Sequence, residues 1–213
     1  MGEELVKGRD VTIRFDATRC IHSRGCVLGQ PDVYVPNVQG EWIHPDAAPA
    51  DRVMFTALNC PSGAIRVARS DGSATSDTPP VVNTVRVREN GPLAIEAELV
   101  IAGVAQASPR ATLCRCGQSM NKPFCDGAHG AAGFAASGEP APKEFSALEA
   151  RNGPVNIDPQ PDGPLKVTGN LEVVSGTGHT IHKATKLWLC RCGQSANKPY
   201  CDGSHKAAGF RAE

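Results

Sequence analysis

The chain has 213 residues, a formal net charge of zero, 40% hydrophobic residues and 5% aromatic residues. This length predicts one to three small domains, and the balanced charge excludes a globally basic or acidic surface as the basis of nucleic-acid or membrane binding. The apolar runs are shorter than a bilayer span, and the N-terminus lacks the apolar region of a signal peptide. The sequence therefore predicts a soluble, cytoplasmic protein that binds neither nucleic acid nor membranes.

Nine cysteines are the most informative feature of the composition. A chain without a secretion signal is expected in a reducing compartment, where disulfides are rare, so metal ligation, catalysis or burial remain as roles for these thiols. The cysteines form three groups of three in the sequence, and this grouping favours dedicated sites over scattered core positions. The groups are Cys20, Cys26 and Cys60; Cys114, Cys116 and Cys125; and Cys190, Cys192 and Cys201.

The first segment, residues 1–72, is predicted to be a small α+β domain. Apolar residues at alternate positions over 11–15 predict a strand, and residues 64–69 predict a second one. Between them, residues 49–59 have apolar side chains at the spacing of one helical face. The residues expected on that face are Val53, Met54, Ala57 and Leu58.

The three cysteines of this segment follow the pattern C-x5-C…C-P. A bacterial ferredoxin motif has a further cysteine between the first two, where this chain has a serine. With His22 and Gly25 in C-x-H-x2-G-C, the pattern resembles the divergent single-cluster ferredoxin domain. Three thiolates from Cys20, Cys26 and Cys60 suit a [3Fe–4S] cluster, or a [4Fe–4S] cluster completed by water or His22. The alternative is a ferredoxin-like fold whose cysteines hold no cluster.

Two polar, turn-rich stretches at residues 70–80 and 136–145 predict linkers. The segments that follow them, residues 80–137 and 150–213, are an internal repeat in which a strand, a Gly-Pro turn and an alternating strand recur. Each repeat is too small to bury a good core alone. The two copies are therefore predicted to pack together as an internal pseudo-dimer with approximate two-fold symmetry, in a chain that is itself a monomer.

Each repeat contains nearly the same sixteen-residue motif, CRCGQSMNKPFCDGAH from Cys114 and CRCGQSANKPYCDGSH from Cys190. The spacing C-x-C-x8-C-x3-H combines three soft thiolates with one imidazole, which is the donor set of a metal site. Structural zinc sites usually separate paired cysteines by two to four residues, so the single-residue spacing favours a [2Fe–2S] cluster. The candidate ligands are Cys114, Cys116, Cys125 and His129 in the first repeat and Cys190, Cys192, Cys201 and His205 in the second.

The motif closely resembles the CDGSH iron–sulfur domain, the mitoNEET-like family, over residues 80–134 and 153–213. The resemblance implies one [2Fe–2S] cluster per motif in a small β-rich fold that normally dimerises, with a β-cap and a cluster-binding lobe. It also implies that the two cysteines of C-x-C share one iron, while the third cysteine and the histidine hold the other.

Several residues beside the ligands are predicted to shape or tune the clusters. An aspartate follows the third cysteine where a helix N-cap is expected, and its carboxylate is predicted to accept an N–H near the histidine and so fix the turn. Basic side chains are expected to stabilise an anionic cluster, or else to be solvated surface charges. These residues are Asp126, Asp202, Lys122, Lys198, Arg115 and Arg191.

The sequence therefore predicts an iron–sulfur protein that transfers electrons, or passes clusters to other proteins, with a redox partner or an apo-protein acceptor as its partner. Walker, nucleophile-elbow and dinucleotide motifs are missing from the sequence, so we do not expect an enzyme. Two alternatives remain open at this stage, a redox subunit of an enzyme and a structural zinc protein. Trp188, two residues before Cys190, is expected in the core.

Overall fold

A computed structural model of the chain describes residues 2–212. The protein is mixed α+β, rich in strands and poor in helix, and it divides into two compact units, residues 1–78 and 79–213. None of the helices within residues 2–212 has the length and apolar character that crossing a bilayer requires.

The first unit is built on a three-stranded antiparallel sheet in the order β1-β2-β3. Its elements are β1 (Glu4–Lys7), β2 (Val11–Phe15), α1 (Gly25–Gly29), α2 (Ala50–Leu58) and β3 (Ile65–Arg69), with 3-10 turns at Ala17–Arg19 and Pro45–Ala47. The predicted strands and the predicted helix are confirmed. The helix buries Val53, Met54 and Ala57, whereas its last residue, Leu58, is 46% exposed. The apolar face is therefore one residue shorter than predicted.

The second unit contains eight strands and two short helices. The strands are β4 (Thr84–Val87), β5 (Leu93–Glu96), β6 (Glu98–Ile101), β7 (Val104–Ala105), β8 (Arg110–Leu113), β9 (Pro154–Pro159), β10 (Leu165–Val174) and β11 (Thr180–Leu189). The helices are α3 (Ala128–Ala131) and α4 (Ser204–Ala207). Each helix comes directly after the CDG stretch of its motif, so it carries the candidate histidine.

Each repeat contributes one strand that pairs with the first strand of the other repeat. β6 of the first repeat runs parallel to β9 of the second, with Leu99 opposite Val155. In return, β10 of the second repeat runs parallel to β4 of the first, with Val173 opposite Val85. All eight strands thus join one sheet, and apolar residues from both repeats form one continuous core. Neither repeat completes this sheet alone, because each supplies a neighbour to the first strand of the other.

The two C-x-C segments also meet. Cys116 and Cys192 are partners in an isolated antiparallel bridge. The glycine after each cysteine has a positive φ, +83° at Gly117 and +82° at Gly193. A Cβ on Gly117 would lie 2.9 Å from the carbonyl carbon of Cys192, and one on Gly193 would lie 2.8 Å from that of Cys116. Both positions therefore require glycine for conformation and for close approach.

Candidate metal centres

The C-x-C cysteines lie directly after the last strand of each repeat. The Sγ atoms of Cys114 and Cys116 are 3.8 Å apart, and those of Cys190 and Cys192 are 3.6 Å apart. Residues at i and i+2 of an extended chain face the same side, so the alternation of the strand brings each pair of sulfurs together. All four side chains are buried.

The third cysteine and the histidine of each motif form a second pair. Cys125 Sγ lies 3.4 Å from Nδ1 of His129, and Cys201 Sγ lies 3.4 Å from Nδ1 of His205. The histidine lies in the first turn of α3 or α4, and the left-handed glycine at the N-cap, Gly127 or Gly203, turns the chain so that the preceding cysteine faces it. The nitrogen that faces the sulfur is therefore Nδ1 in both motifs.

Backbone hydrogen bonds hold the two pairs of the first motif beside each other. The N–H of Cys114 donates to the carbonyl of Pro123 at 2.9 Å, and the N–H of Cys125 donates to the carbonyl of Thr112 at 2.9 Å. The second motif repeats both bonds, at 2.8 Å and 3.0 Å. The third cysteine is thus tied to the end of the strand that carries the first two.

The surroundings of the sulfurs fit an anionic iron–sulfur group. The N–H groups of Gln118 and Gly127 approach Cys116 and Cys125 Sγ at 3.4 Å each, and the second motif has the same contacts. Burial raises the pKa of the Cys125 thiol to about 11, because a buried thiolate loses hydration. The N–H donors offset only part of that cost. Iron bound at these sulfurs would supply the positive charge that keeps the thiolates ionised.

The aspartate of each motif accepts the N–H two residues further on, as predicted, but it is not the N-cap residue. The residues at the N-caps of α3 and α4 are glycines, Gly127 and Gly203, and not the aspartates. Asp126 accepts the N–H of Ala128 at 3.0 Å through one oxygen and the N–H of Met120 at 2.8 Å through the other. The carboxylate therefore ties the CDG turn to the loop that follows C-x-C.

Asp202 makes the equivalent contacts in the second motif, with the N–H groups of Ser204 and Ala196. It also accepts the Ser204 hydroxyl at 2.6 Å. These bonds, the hydroxyl first, hold the pKa of Asp202 well below its usual range. The first motif has Ala128 at the serine position and lacks this extra bond.

The arginine between the cysteines is a buried structural donor rather than a solvated charge. Arg115 is 1% exposed, and the alternation that directs the cysteines to one side directs its side chain to the other. Its guanidinium donates at 2.6–3.1 Å to four backbone carbonyls, those of Arg88, Gly91, Ala136 and Ser137. Arg191 makes similar bonds in the second repeat, to the carbonyls of Gln160, Gly163 and Ala212. Each arginine thereby fastens the cysteine segment to the preceding turn.

The lysines of the motifs are held by the loops that contain them. Lys122 Nζ donates to the carbonyl of Ser119 at 2.6 Å, and Lys198 Nζ donates to the carbonyl of Ser195 at 2.5 Å. The serines themselves are buried, and their hydroxyls donate at 2.6 Å to the carbonyls of Phe124 and Tyr200. The sequence reasoning missed these serines, although both copies of the motif contain them.

Two aromatic residues distinguish the second repeat. Trp188 is 43% exposed, so the prediction that it lies in the core is wrong. Its neighbours on β11, Leu187 and Leu189, are buried, and Trp188 faces the opposite side of the strand. Tyr200, where the first repeat has Phe124, places its hydroxyl 3.2 Å from Nδ1 of His182.

The N-terminal cysteines line one cavity of about 960 Å³. Cys20, Cys26 and Cys60 are all partly exposed to it, and His22 lies on its wall with a left-handed φ of 53°. Burial raises the pKa of the Cys20 and Cys26 thiols, because a buried thiolate loses hydration, and the charge of Cys60 raises both pKa values further. The cavity has room for a cluster larger than a single ion.

All nine cysteines are free thiols. Within residues 2–212, no three His, Cys, Asp or Glu side chains converge closely enough to ligate one metal ion. The donors described above are grouped instead as two neighbouring pairs in each repeat and as three separate thiols in the first unit.

Comparisons with known families agree with this organisation. The family described as iron-binding zinc finger CDGSH type matches residues 90–130 and again residues 162–206. The family described as divergent 4Fe-4S mono-cluster matches residues 6–70. No curated protein matches the chain. The chain is therefore an iron–sulfur protein in which two tandem CDGSH-type iron-binding domains follow an N-terminal domain of the divergent 4Fe-4S mono-cluster family.

Proposed function

We propose that the chain binds two [2Fe–2S] clusters, one in each CDGSH-type motif, and uses them to transfer electrons, to pass clusters to acceptor proteins, or both. In the first motif Cys114 and Cys116 bind one iron, and Cys125 and His129 bind the other. The equivalent ligands of the second motif are Cys190, Cys192, Cys201 and His205.

The observation that carries this proposal is the pairing of donors in both repeats. Two thiols at 3.6–3.8 Å suit two ligands of one tetrahedral iron, and a thiol and an imidazole nitrogen at 3.4 Å suit another. Two neighbouring iron atoms bridged by sulfide match this arrangement of two pairs. A single zinc ion instead needs four donors around one point.

The histidine gives such a cluster a chemistry that four cysteines do not. With three thiolates the oxidised cluster carries one negative charge, one unit less than an all-cysteine site. Its reduction potential is therefore expected between about −400 mV for plant-type ferredoxins and the range of about −150 to +300 mV for Rieske centres. Reduction adds negative charge beside the imidazole and raises its proton affinity, so electron uptake is coupled to protonation. A proton on Nδ1 competes with the Fe–N bond, which makes the cluster releasable.

The same reasoning extends to the first unit, where Cys20, Cys26 and Cys60 hold a third cluster of the [3Fe–4S] or [4Fe–4S] type in a ferredoxin-like fold. Support comes from the three thiols on one cavity wall and from the family match of residues 6–70. Three thiolates satisfy every iron of a [3Fe–4S] cluster. A [4Fe–4S] cluster requires a fourth ligand, from water or His22.

The pairing of strands between the repeats supports an internal pseudo-dimer, in which the two repeats of one chain take the places of the two subunits of a dimer. The Cys116–Cys192 bridge places one ligand of each site on adjacent backbone segments, an arrangement suited to electron exchange between the clusters. We propose a monomer that works with a separate redox partner or apo-protein acceptor, without a catalytic site of its own, in the cytoplasm.

Metal and sulfide analysis of protein purified without oxygen tests the proposal. We expect red-brown protein with two EPR signals of reduced [2Fe–2S] centres and a third cluster signal. Cys20→Ser should remove iron and sulfide of the third cluster only. Colourless protein that contains zinc in place of iron would establish the structural alternative and refute the proposal. Incubation with an apo-ferredoxin separates the two roles. A cluster-transfer protein should lose iron to the apo-ferredoxin, whereas an electron-transfer protein should exchange electrons with its partner without losing iron.

A further inference from the structure

A buried hydroxyl group lies in the apolar core against which Cys26 and Cys60 pack. Tyr34 is 0% exposed and forms an isolated antiparallel bridge with Ile43. Its N–H donates to the carbonyl of Gln30 at 3.0 Å, and its ring packs near Trp42, with centroids 6.2 Å apart. The backbone and the ring are thus fixed by the core of the first unit.

The hydroxyl of Tyr34 has no hydrogen-bond partner among residues 2–212. A buried phenol oxygen without a partner is unfavourable, because it has given up its bonds to water. A phenylalanine would fill the same space without that cost. A tyrosine at this position therefore indicates that the hydroxyl bonds to a group that belongs to the site.

Cys26 and Cys60 are the candidate acceptors for this hydroxyl. Both cysteines pack against the apolar cluster that contains Tyr34. Burial raises the pKa of Tyr34, and the charges of Cys26 and then Cys60 raise it further. A phenol hydroxyl carries its proton at neutral pH, so it is a donor. A thiolate is an acceptor, so the two groups are complementary once the cysteines are ionised by iron.

We propose that Tyr34 donates a hydrogen bond to the thiolate of Cys26 or Cys60 in the cluster-bound protein, and thereby raises the reduction potential of the N-terminal cluster. This inference rests on the proposed third cluster. Tyr34 is a positioning and tuning residue and not a ligand. Its hydroxyl draws electron density from the sulfur, which stabilises the reduced cluster, as hydrogen bonds to cluster sulfurs do generally.

Tyr34→Phe in the complete, cluster-loaded chain tests the proposal by EPR-monitored redox titration. We expect the midpoint potential of the N-terminal cluster to become more negative, while those of the other two clusters stay unchanged as internal references. A chelator should remove iron from the N-terminal site roughly fivefold faster, the factor expected for one ordinary hydrogen bond. Tyr200→Phe is the matched control, because it removes a hydroxyl in the second unit and leaves the N-terminal potential unchanged.

Incorporation of 3-fluorotyrosine at position 34 supplies a second variant that keeps the ring and the hydroxyl. Fluorination makes the phenol a stronger donor, so the N-terminal potential should become more positive, opposite to the effect of phenylalanine. A role in packing alone predicts no such rise. An intact N-terminal cluster whose potential is the same with tyrosine, phenylalanine and fluorotyrosine would overturn the inference.

The outcomes also separate this inference from the proposed function. Wild-type protein with iron and sulfide at both CDGSH-type sites, but none at the cysteines of the first unit, would refute the third cluster and the inference together. A full complement of clusters with potentials indifferent to Tyr34 would refute only the inference.

Discussion

The contact between the two C-x-C segments leads to a sharp mutational prediction. Gly193→Ala places a methyl group against the backbone of Cys116 at a φ of +82°. The left-handed conformation costs a residue with a Cβ about 1–2 kcal/mol, and overpacking against backbone costs about 1–3 kcal/mol more. The free energy of unfolding of the second unit should therefore fall by about 2–5 kcal/mol.

Gly203→Ala is the matched control, since it lies in the same motif with a φ of +91° but has no atom within 4 Å of the added Cβ. It should cost only the conformational part, about 1–2 kcal/mol. The difference in unfolding free energy between the two variants measures the cost of placing a methyl group where the two C-x-C segments touch. Gly117→Ala, the equivalent of Gly193→Ala in the first repeat, should match it.

The assay is thermal unfolding followed by circular dichroism and by the visible absorbance of the clusters. A difference of about 1–3 kcal/mol between the glycine variants corresponds to a midpoint difference of about 3–10 °C for a unit of this size. Equal midpoints for Gly193→Ala and Gly203→Ala would show that the cysteine segments do not touch, and the reasoning about their junction would fail.

Three further predictions concern the ligands and the residues that hold them. His129→Cys should make the potential of the first cluster more negative and remove its pH dependence near neutrality in voltammetry, while the second cluster keeps both; an unchanged pH dependence would argue against protonation of the histidine. The hydrogen bonds of Asp202, led by that of the Ser204 hydroxyl, lower the pKa of its carboxyl group in the folded protein. The stability that Asp202 contributes is therefore fully present above about pH 4, the pKa in the unfolded chain, and is lost as the pH falls through the lower pKa of the folded protein. Asp202→Asn should thus release its cluster at a higher pH than wild type in an acid titration of visible absorbance, and coincident release curves would contradict this role. Arg115→Lys leaves buried carbonyls without donors and should destabilise the second unit by about 3 kcal/mol or more in urea unfolding, whereas Arg86→Lys, at an exposed arginine, should change it little.

The candidate ligands could be found from sequence because their chemistry is local. Two cysteines at i and i+2 of an extended segment share a side, and the cysteine and the histidine are joined by the short CDG turn that leads into α3 or α4. The structure brings Cys114 to Cys116 and Cys125 to His129 by these short-range rules. The strands at 11–15 and 65–69 were predictable for the same reason, since their burial follows a period of two.

Residues whose role depends on distant backbone were beyond such rules. Arg115 was expected to stabilise an anionic cluster or to be a solvated charge, but its hydrogen-bond partners are carbonyls 21 to 27 residues away in the sequence. Trp188 was expected in the core, but the neighbours of β11 leave that face open. The N-cap prediction for Asp126 failed by one residue, because Gly127 adopts the left-handed conformation from which the helix starts.

By itself, the sequence determined the candidate donors of each motif, because they depend on spacing along a few residues, and it determined the repeat, because the motif recurs almost unchanged. The tertiary structure alone decided that β6 and β10 cross to the other repeat, that Cys116 meets Cys192, and that the Tyr34 hydroxyl is buried without a hydrogen-bond partner among residues 2–212. Those contacts join residues far apart in the chain. Their free energy comes from the shared burial of surfaces that no local pattern identifies as neighbours.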